Sequence, residues 1–340
     1  MSIDAGLSDN SVGSPDWQVA PATAGSIPAN RKDSLGRHGL ALEGSARSGA
    51  VKRPQRPREL QDPLNHYLYH PLAWRFARLL APTPITPNMV SVLGAGCVIA
   101  AAFAYTQLSW PVSAALGLGL HMTWHVVDGA DGDLARLTGR SSPIGEMVDG
   151  LCDYLSHAVL YIMLAMLLAK GSGFFSGWHA WVLVILAGIS HALQANHVEV
   201  QRRQYQYWVY GTPWLRNSHG REGSATSKSW AGALVSAYIG VASGMTPQAL
   251  KIDAAVQAAQ GNPVQLDLIA KAARAETEPL LLLCKVLGPN PRAIALGLSM
   301  FAGSPVWYML YQAIALNLLL VFSVRAHNAA ARRIAARIGV

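Results

Sequence analysis

Five aspartates crowd one short stretch of this chain: Asp128, Asp131, Asp133, Asp149 and Asp153. Asp128, Asp131 and Ala135 stand at i, i+3 and i+7, which is one face of a helix. Gly145, Asp149 and Asp153 stand at i, i+4 and i+8, again one face. If the Leu137–Ile144 segment turns the chain back, the carboxylates of Asp128, Asp131, Asp149 and Asp153 converge on one site. Like charges at that range repel, so the cluster requires positive compensation, and a divalent cation is the simplest. An all-oxygen ligand set favours a hard ion, Mg²⁺ or Mn²⁺, over zinc. Two such ions roughly 3.5–4 Å apart suit displacement at phosphorus. Asp133 falls off the shared face and reads as a solvated residue. Gly132, Ala135 and Gly145 carry no bulk, so helices or a phosphate-bearing ligand can come close to the backbone; plain helix packing uses the same residue types. Arg136 beside the cluster can bind a phosphate or pair with a carboxylate.

The surroundings of this stretch are those of a membrane protein. Of 340 residues, 51% are hydrophobic and only 14% charged, against about a quarter charged in soluble domains. Apolar stretches near Asn88–Thr106, Pro111–Val127, Met147–Ala169, Trp178–Gln194, Ala293–Gly303 and Val306–Val324 approach the ~20 residues that span a bilayer. The expected fold is therefore all-α: a polytopic membrane protein with six transmembrane helices and an N-terminal interfacial helix. Residues 1–60 read as a disordered basic cytoplasmic tail with no apolar leader. Residues 61–85 read as an amphipathic interfacial helix, 86–200 as the transmembrane catalytic core, 201–290 as a cytoplasmic or interfacial insertion, and 291–340 as the last two spans with a basic tail. Trp230–Met245 is apolar and fits a re-entrant helix, an interfacial helix or a further span.

Charge distribution sets the orientation. With six spans and both ends inside, Lys170 is the one basic residue of 27 placed outside, which puts the aspartates at the cytoplasmic face. The net charge of +8 is then a positive-inside signal. Lys52, Arg53, Arg56 and Arg58 fit an anionic lipid surface, and no aromatic interleaving marks a nucleic-acid partner. The three cysteines have no metal-ligand spacing and read as small buried hydrophobes. Tyr205, Tyr207, Trp208 and Tyr210 read as an interfacial aromatic belt, as do Trp110 and Trp178. The alanine-rich chain without a targeting segment suggests a bacterial inner membrane.

Taken together, Asp128-x-x-Asp131-Gly132-x-x-Ala135-Arg136, eight residues, then Gly145-x-x-x-Asp149-x-x-x-Asp153 resembles the signature of the CDP-alcohol phosphotransferase family at every fixed position. Thr86-Pro87-Asn88 at the head of the first span is similar to the family as well. The resemblance covers about Pro87–Val200, and the tail and the Glu199–Pro289 segment depart from it. It implies a six-helix membrane enzyme, usually a homodimer, in which the hydroxyl of one alcohol attacks the β-phosphorus of a CDP-linked substrate and CMP leaves. It implies metal ligation by Asp128, Asp131, Asp149 and Asp153, a general-base role for Asp153, and a CDP site lined by Asn88, Gly132, Ala135, Arg136 and Gly145. Acceptor candidates are His157, one turn beyond Asp153, and Arg202 and Arg203 after the fourth span; His121 and His125, before Asp128, are further ones. The expected donor is CDP-diacylglycerol, with headgroup transfer from a CDP-choline or CDP-ethanolamine type donor to a lipid alcohol as the alternative. Two other classes remain open: an aspartate-rich membrane prenyltransferase, although its motifs would lie in separate repeats, and a cation-binding scaffold, which leaves the small residues at their spacings unexplained.

Overall fold

Two helices begin on the same chemistry. Thr86 and Ser142 sit in extended backbone just before a proline, and each side chain accepts a hydrogen bond from an amide three residues on, Met89 N at 3.3 Å and Gly145 N at 3.0 Å. A capping hydroxyl followed by proline at the first helical position satisfies an orphan amide and presets the backbone. These starts open α2 (Pro87–Gln107) and α4 (Pro143–Ala169) in the computed structural model, which describes residues 56–213, 240–241 and 244–340. A π-helical turn (Asn65–Tyr69) leads into α1 (His70–Leu80), and α3 (Val112–Leu137) and α5 (Trp178–Tyr210) complete the first half. Then follow α6 (Ala249–Ala258), α7 (Pro263–Thr277), α8 (Leu281–Val286), α9 (Pro289–Phe301), α10 (Val306–Leu310) and α11 (Leu316–Ile338). No strand occurs among the described residues. The tail up to residue 55 lies outside them, as does Trp230–Met245 apart from residues 240, 241, 244 and 245.

Five stretches among the described residues are long and apolar enough to cross a membrane: Pro87–Gln107, Gly145–Ala169, Trp178–Tyr210, Pro263–Phe301 and Val306–Ile338. Six were expected. The helix α3 has the length, 26 residues, but its aspartates and histidines depress its hydropathy. The Pro263–Phe301 stretch is broken by a 3₁₀ turn at Glu278–Leu280 and again before Pro289. Its apolar end, α9, has 13 residues, about 20 Å at the α-helical rise, short of the ~30 Å hydrocarbon layer.

Leu93, Phe103, Ile185, Ile189, Leu318 and Phe322 all point outward and are exposed. That outer face suits lipid and not water. Inward, Val98, Tyr105, Leu160, Leu164, Val184, Leu296 and Met309 form the bundle core.

A second core lies beyond the bundle. The helix α5 runs on past Gln194 to Tyr210, 33 residues in all, roughly 50 Å long and so longer than the apolar layer is thick. Its last turns pack with α6, α7 and α11 through Tyr205, Trp208, Ile252, Val256, Ile269 and Ile334. The aromatics expected to form a belt are therefore core residues: Tyr205, Tyr207 and Trp208 are buried. The sequence suggested a membrane interface because these residues adjoin an apolar span; the partners that bury Tyr205 and Trp208 come from α6, α7 and α11, far along the chain. Trp208 Nε1 donates to Asp253 Oδ1 at 2.7 Å, and the Tyr205 and Tyr210 hydroxyls both donate to Glu59 Oε1. Leu60, assigned to the tail by sequence, is buried in the same cluster.

Two predictions follow from this packing. Burial pushes the Glu59 carboxyl up, but the hydrogen bonds from Tyr210 and Tyr205, its own backbone and the charge of Arg274 outweigh that and hold it below its ordinary 4.5. A depressed folded value contributes stability that is present above the unfolded value and lost as pH falls through the folded one. The melting temperature in detergent should fall as pH drops below about 4.5, and that acid limb should flatten in Glu59→Gln. In the bundle, a methyl added at Gly117 would run into the buried Tyr105 ring. Gly117→Ala should cost about 1–3 kcal/mol of stability by overpacking, whereas the same change at Gly119, with nothing near it, should be neutral or favourable by thermal melting.

Candidate active site

The helix α3 ends on a left-handed glycine. Gly139 has φ +65°, and the amides of Thr138 and Arg140 close onto the carbonyls of Leu134 and Ala135 at 2.9 Å each. This is a Schellman-type ending. Three residues after Gly139, Ser142 caps α4, so the chain turns back as the spacing required. The two helices make little direct contact. Instead α2 packs against both and acts as their common backing.

Across that cleft the carboxylates meet. Asp128 on α3 and Asp149 and Asp153 on α4 each offer an oxygen, all within 4.8 Å of one another. Asp131 adjoins them with its carboxyl in hydrogen-bonding reach of Asp149. It is buried, with Oδ2 accepting from Ser91 Oγ on α2 at 2.6 Å and Oδ1 accepting from the Gly132 amide. Asp153 Oδ1 accepts from Trp124 Nε1 at 3.0 Å. The donor set fits a hard divalent ion: three half-buried carboxylates converge and a fourth touches them, an arrangement that is repulsive without a proton or cation between them. Ser91 and Trp124 each fix one oxygen of the cluster, Asp131 Oδ2 and Asp153 Oδ1, as the outer hydrogen bonds of a metal site would.

The small residues stand where the spacing placed them. Gly145 lies against Asn88, whose Oδ1 is 3.4 Å from where a methyl would sit. The Arg136 guanidinium lies over Gly132 at 3.5 Å on the same measure. Ala135 is on the α3 turn that carries both. Gly145 thus adjoins Asn88, and Gly132 adjoins Arg136. His157 has its Nδ1 2.8 Å from the Asp153 carbonyl oxygen and its ring 4.6 Å from that of Trp124. His121 and His125 are buried around the same indole.

One expectation is corrected. Asp133, read as solvated, is 3% exposed. It pairs with Arg136 Nη2 at 2.5 Å and Arg56 Nη2 at 3.2 Å. Arg56 reaches it from 77 positions upstream, a distance over which no local pattern signals a contact. Arg202 and Arg203 are not free cations: Arg203 binds Glu199 at 2.6 Å and Glu146 at 2.7 Å, and Arg202 lies 3.6 Å from Glu199. Sequence reasoning also missed Ser91 and Trp124. Trp124 is one turn before Asp128 on the aspartate face and was legible from spacing; Ser91 looked like an ordinary residue of an apolar span.

Known proteins resemble this chain over the same region. Residues 84–214 match the family model of the CDP-alcohol phosphatidyltransferases, and the chain carries a CDP-alcohol phosphatidyltransferase domain there, in an integral membrane protein. Among curated relatives, ceramide phosphoethanolamine synthase of Drosophila melanogaster is 36% identical over 115 residues, covering 30% of this chain and 29% of the relative. An uncharacterized CDP-alcohol phosphatidyltransferase class-I family protein of Schizosaccharomyces pombe is 29% identical over 97 residues, 25% of this chain and 24% of the relative. The chain thus matches less than a third of the length of these relatives.

The buried Asp133 yields a prediction. Asp133→Asn leaves Arg56 and Arg136 facing each other without the anion between them. Breaking a buried pair costs about 3–5 kcal/mol, and the half-exposed arginines reduce this to about 1–3 kcal/mol. Thermal melting should show that loss, and Asp133→Asn combined with Arg56→Met should recover part of it.

Proposed function

We propose that this protein transfers a phosphoalcohol group from a CDP-alcohol to the hydroxyl of a second alcohol, with release of CMP, and that it requires Mg²⁺ or Mn²⁺. The observation that carries the reading is the convergence of Asp128, Asp149 and Asp153 inside the matched domain. Asp128, Asp131, Asp149 and Asp153 would hold two ions. Bound there, divalent metal supplies Lewis-acid stabilisation of phosphate charge. The chain's own groups do the rest. Asp153, with one oxygen fixed by Trp124, accepts the proton of the attacking hydroxyl, since a neutral alcohol is a poor nucleophile. Asn88, Gly132, Ala135 and Gly145 leave room for the cytidine diphosphate beside the backbone. Arg136, held over Gly132 by Asp133, meets phosphate oxygens. The match of residues 84–214 to the CDP-alcohol phosphatidyltransferase model supports this reading over the prenyltransferase and scaffold alternatives.

For the donor, the reading is CDP-diacylglycerol with a polar acceptor, the site opening to the cytoplasm by the Lys and Arg distribution and the protein working as a homodimer in the bilayer. A second reading has one specific support. The Drosophila relative is named for making ceramide phosphoethanolamine, which favours transfer of a phosphoalcohol headgroup from a CDP-linked donor to a lipid alcohol. His157 remains the acceptor-side candidate beside Asp153, while Arg202 and Arg203 are engaged with Glu199 and Glu146.

The test is CMP release by the purified protein with Mn²⁺ or Mg²⁺, supplied with CDP-diacylglycerol and polar alcohols or with CDP-ethanolamine and lipid alcohols. Chelation should abolish release. Asp153→Asn should lower it about 10²–10⁴-fold with CDP still bound in a thermal-shift assay. Full activity after chelation or in Asp153→Asn would refute the assignment, and the productive donor decides between the two readings.

A further inference from the structure

Arg292 is a buried cation without a counter-ion. It lies in the first turn of α9, outside the matched domain, and is 3% exposed. No ion pair involves it among the described residues. Its guanidinium makes one long hydrogen bond, Nη2 to Gln194 Oε1 at 3.4 Å, and its Nε has no partner. That oxygen already accepts from Gln312 Nε2 at 2.5 Å, and the Gln194 amide nitrogen is spent on Asn317 and the Gln312 carbonyl. An arginine cannot shed its proton to relieve burial, and an unpaired charge out of water is unfavourable.

The groups close enough to feel its charge are Tyr154, Tyr161, Tyr308, Tyr311, His157 and His191. They are hydroxyls and imidazoles, which hydrogen-bond an anion without neutralising the arginine themselves. They are also linked to one another and to the site. Tyr161 Oη lies 3.0 Å from Tyr308 Oη and 3.1 Å from His191 Nδ1, the His191 ring is 5.7 Å from that of His157, and His157 contacts the Asp153 backbone. Arg292 thus lies near Tyr154 and His157, the residues one position and one turn beyond Asp153 on α4.

Resting on the phosphotransfer reading, we infer that Arg292 binds an oxyanion carried by the acceptor, a phosphomonoester being the group its fork fits best, so that the preferred acceptor is an anionic alcohol and not a neutral one. A guanidinium fork matches two phosphate oxygens, and the surrounding hydroxyls would take the third. The acceptor hydroxyl would then point back past His157 toward Asp153.

The experiment uses the full chain in detergent with Mg²⁺ and CDP. Inorganic phosphate and glycerol 3-phosphate should each raise the melting temperature of the wild type, and glycerol should not. In Arg292→Gln the phosphate response should vanish, the baseline melting temperature should hold or rise, and the stabilisation by CDP should persist. In turnover, Arg292→Gln should raise the acceptor KM at least about tenfold, ~1.4 kcal/mol, with Arg292→Lys in between. A lower baseline with the phosphate response intact would mean a packing role and overturn the inference. A response to phosphatidic acid in nanodiscs but not to soluble phosphates would overturn the acceptor assignment in favour of a lipid headgroup. Absence of any stabilisation by CDP with Mg²⁺ would instead remove the phosphotransfer reading itself.

Discussion

Mutual repulsion among carboxylates is the constraint around which this molecule is organised. Two unit charges 4.8 Å apart repel by about 3–4 kcal/mol at an effective dielectric near 20, and three such oxygens meet in one cleft with a fourth carboxyl alongside. A bundle that brings them together must supply both compensation and rigid support. Support comes from α2, which backs both aspartate helices and lends Ser91 to Asp131. It comes also from Trp124, which fixes Asp153. Positive charge is held back from them: Arg136 pairs with Asp133, and among the described residues neither Arg136 nor Arg292 forms an ion pair with the clustered carboxylates.

How far the sequence revealed this depended on the range of each interaction. Asp128, Asp131, Asp149 and Asp153 were legible because helix periodicity converts spacing into a face, and the turn at Gly139 does the remaining work within a dozen residues. The starts of α2 and α4 were legible for the same reason, since Thr86 and Ser142 act on amides three residues away. Asp133 was misread because its partner Arg56 lies far upstream, where nothing local marks it. Tyr205 and Trp208 were misread because an aromatic cluster after an apolar span has two meanings. Only the presence of α6 and α7 selects the buried one.

The two cores divide the labour. The bundle core of Val98, Leu160 and Leu296 keeps the cleft walls in place, while the second core gathers the last turns of α5 and α11 with the insertion helices. Arg292 sits just after that insertion, at the head of α9. The stretch beyond the matched residues 84–214 therefore leads directly into the residue proposed to bind the acceptor.

The reach of Arg56 to Asp133 has a practical consequence for anyone who handles this chain. The helix α3, which carries Asp128 and Asp131, is fastened by a residue that alignment to the family domain, starting at residue 84, would discard. A domain boundary drawn at the first apolar span would sever the Arg56 clasp, remove Glu59 from its two tyrosine hydroxyls and uncover the site of Leu60. Fusion partners, affinity tags and protease sites belong upstream of Arg56, and the minimal working unit is larger than the minimal recognisable one.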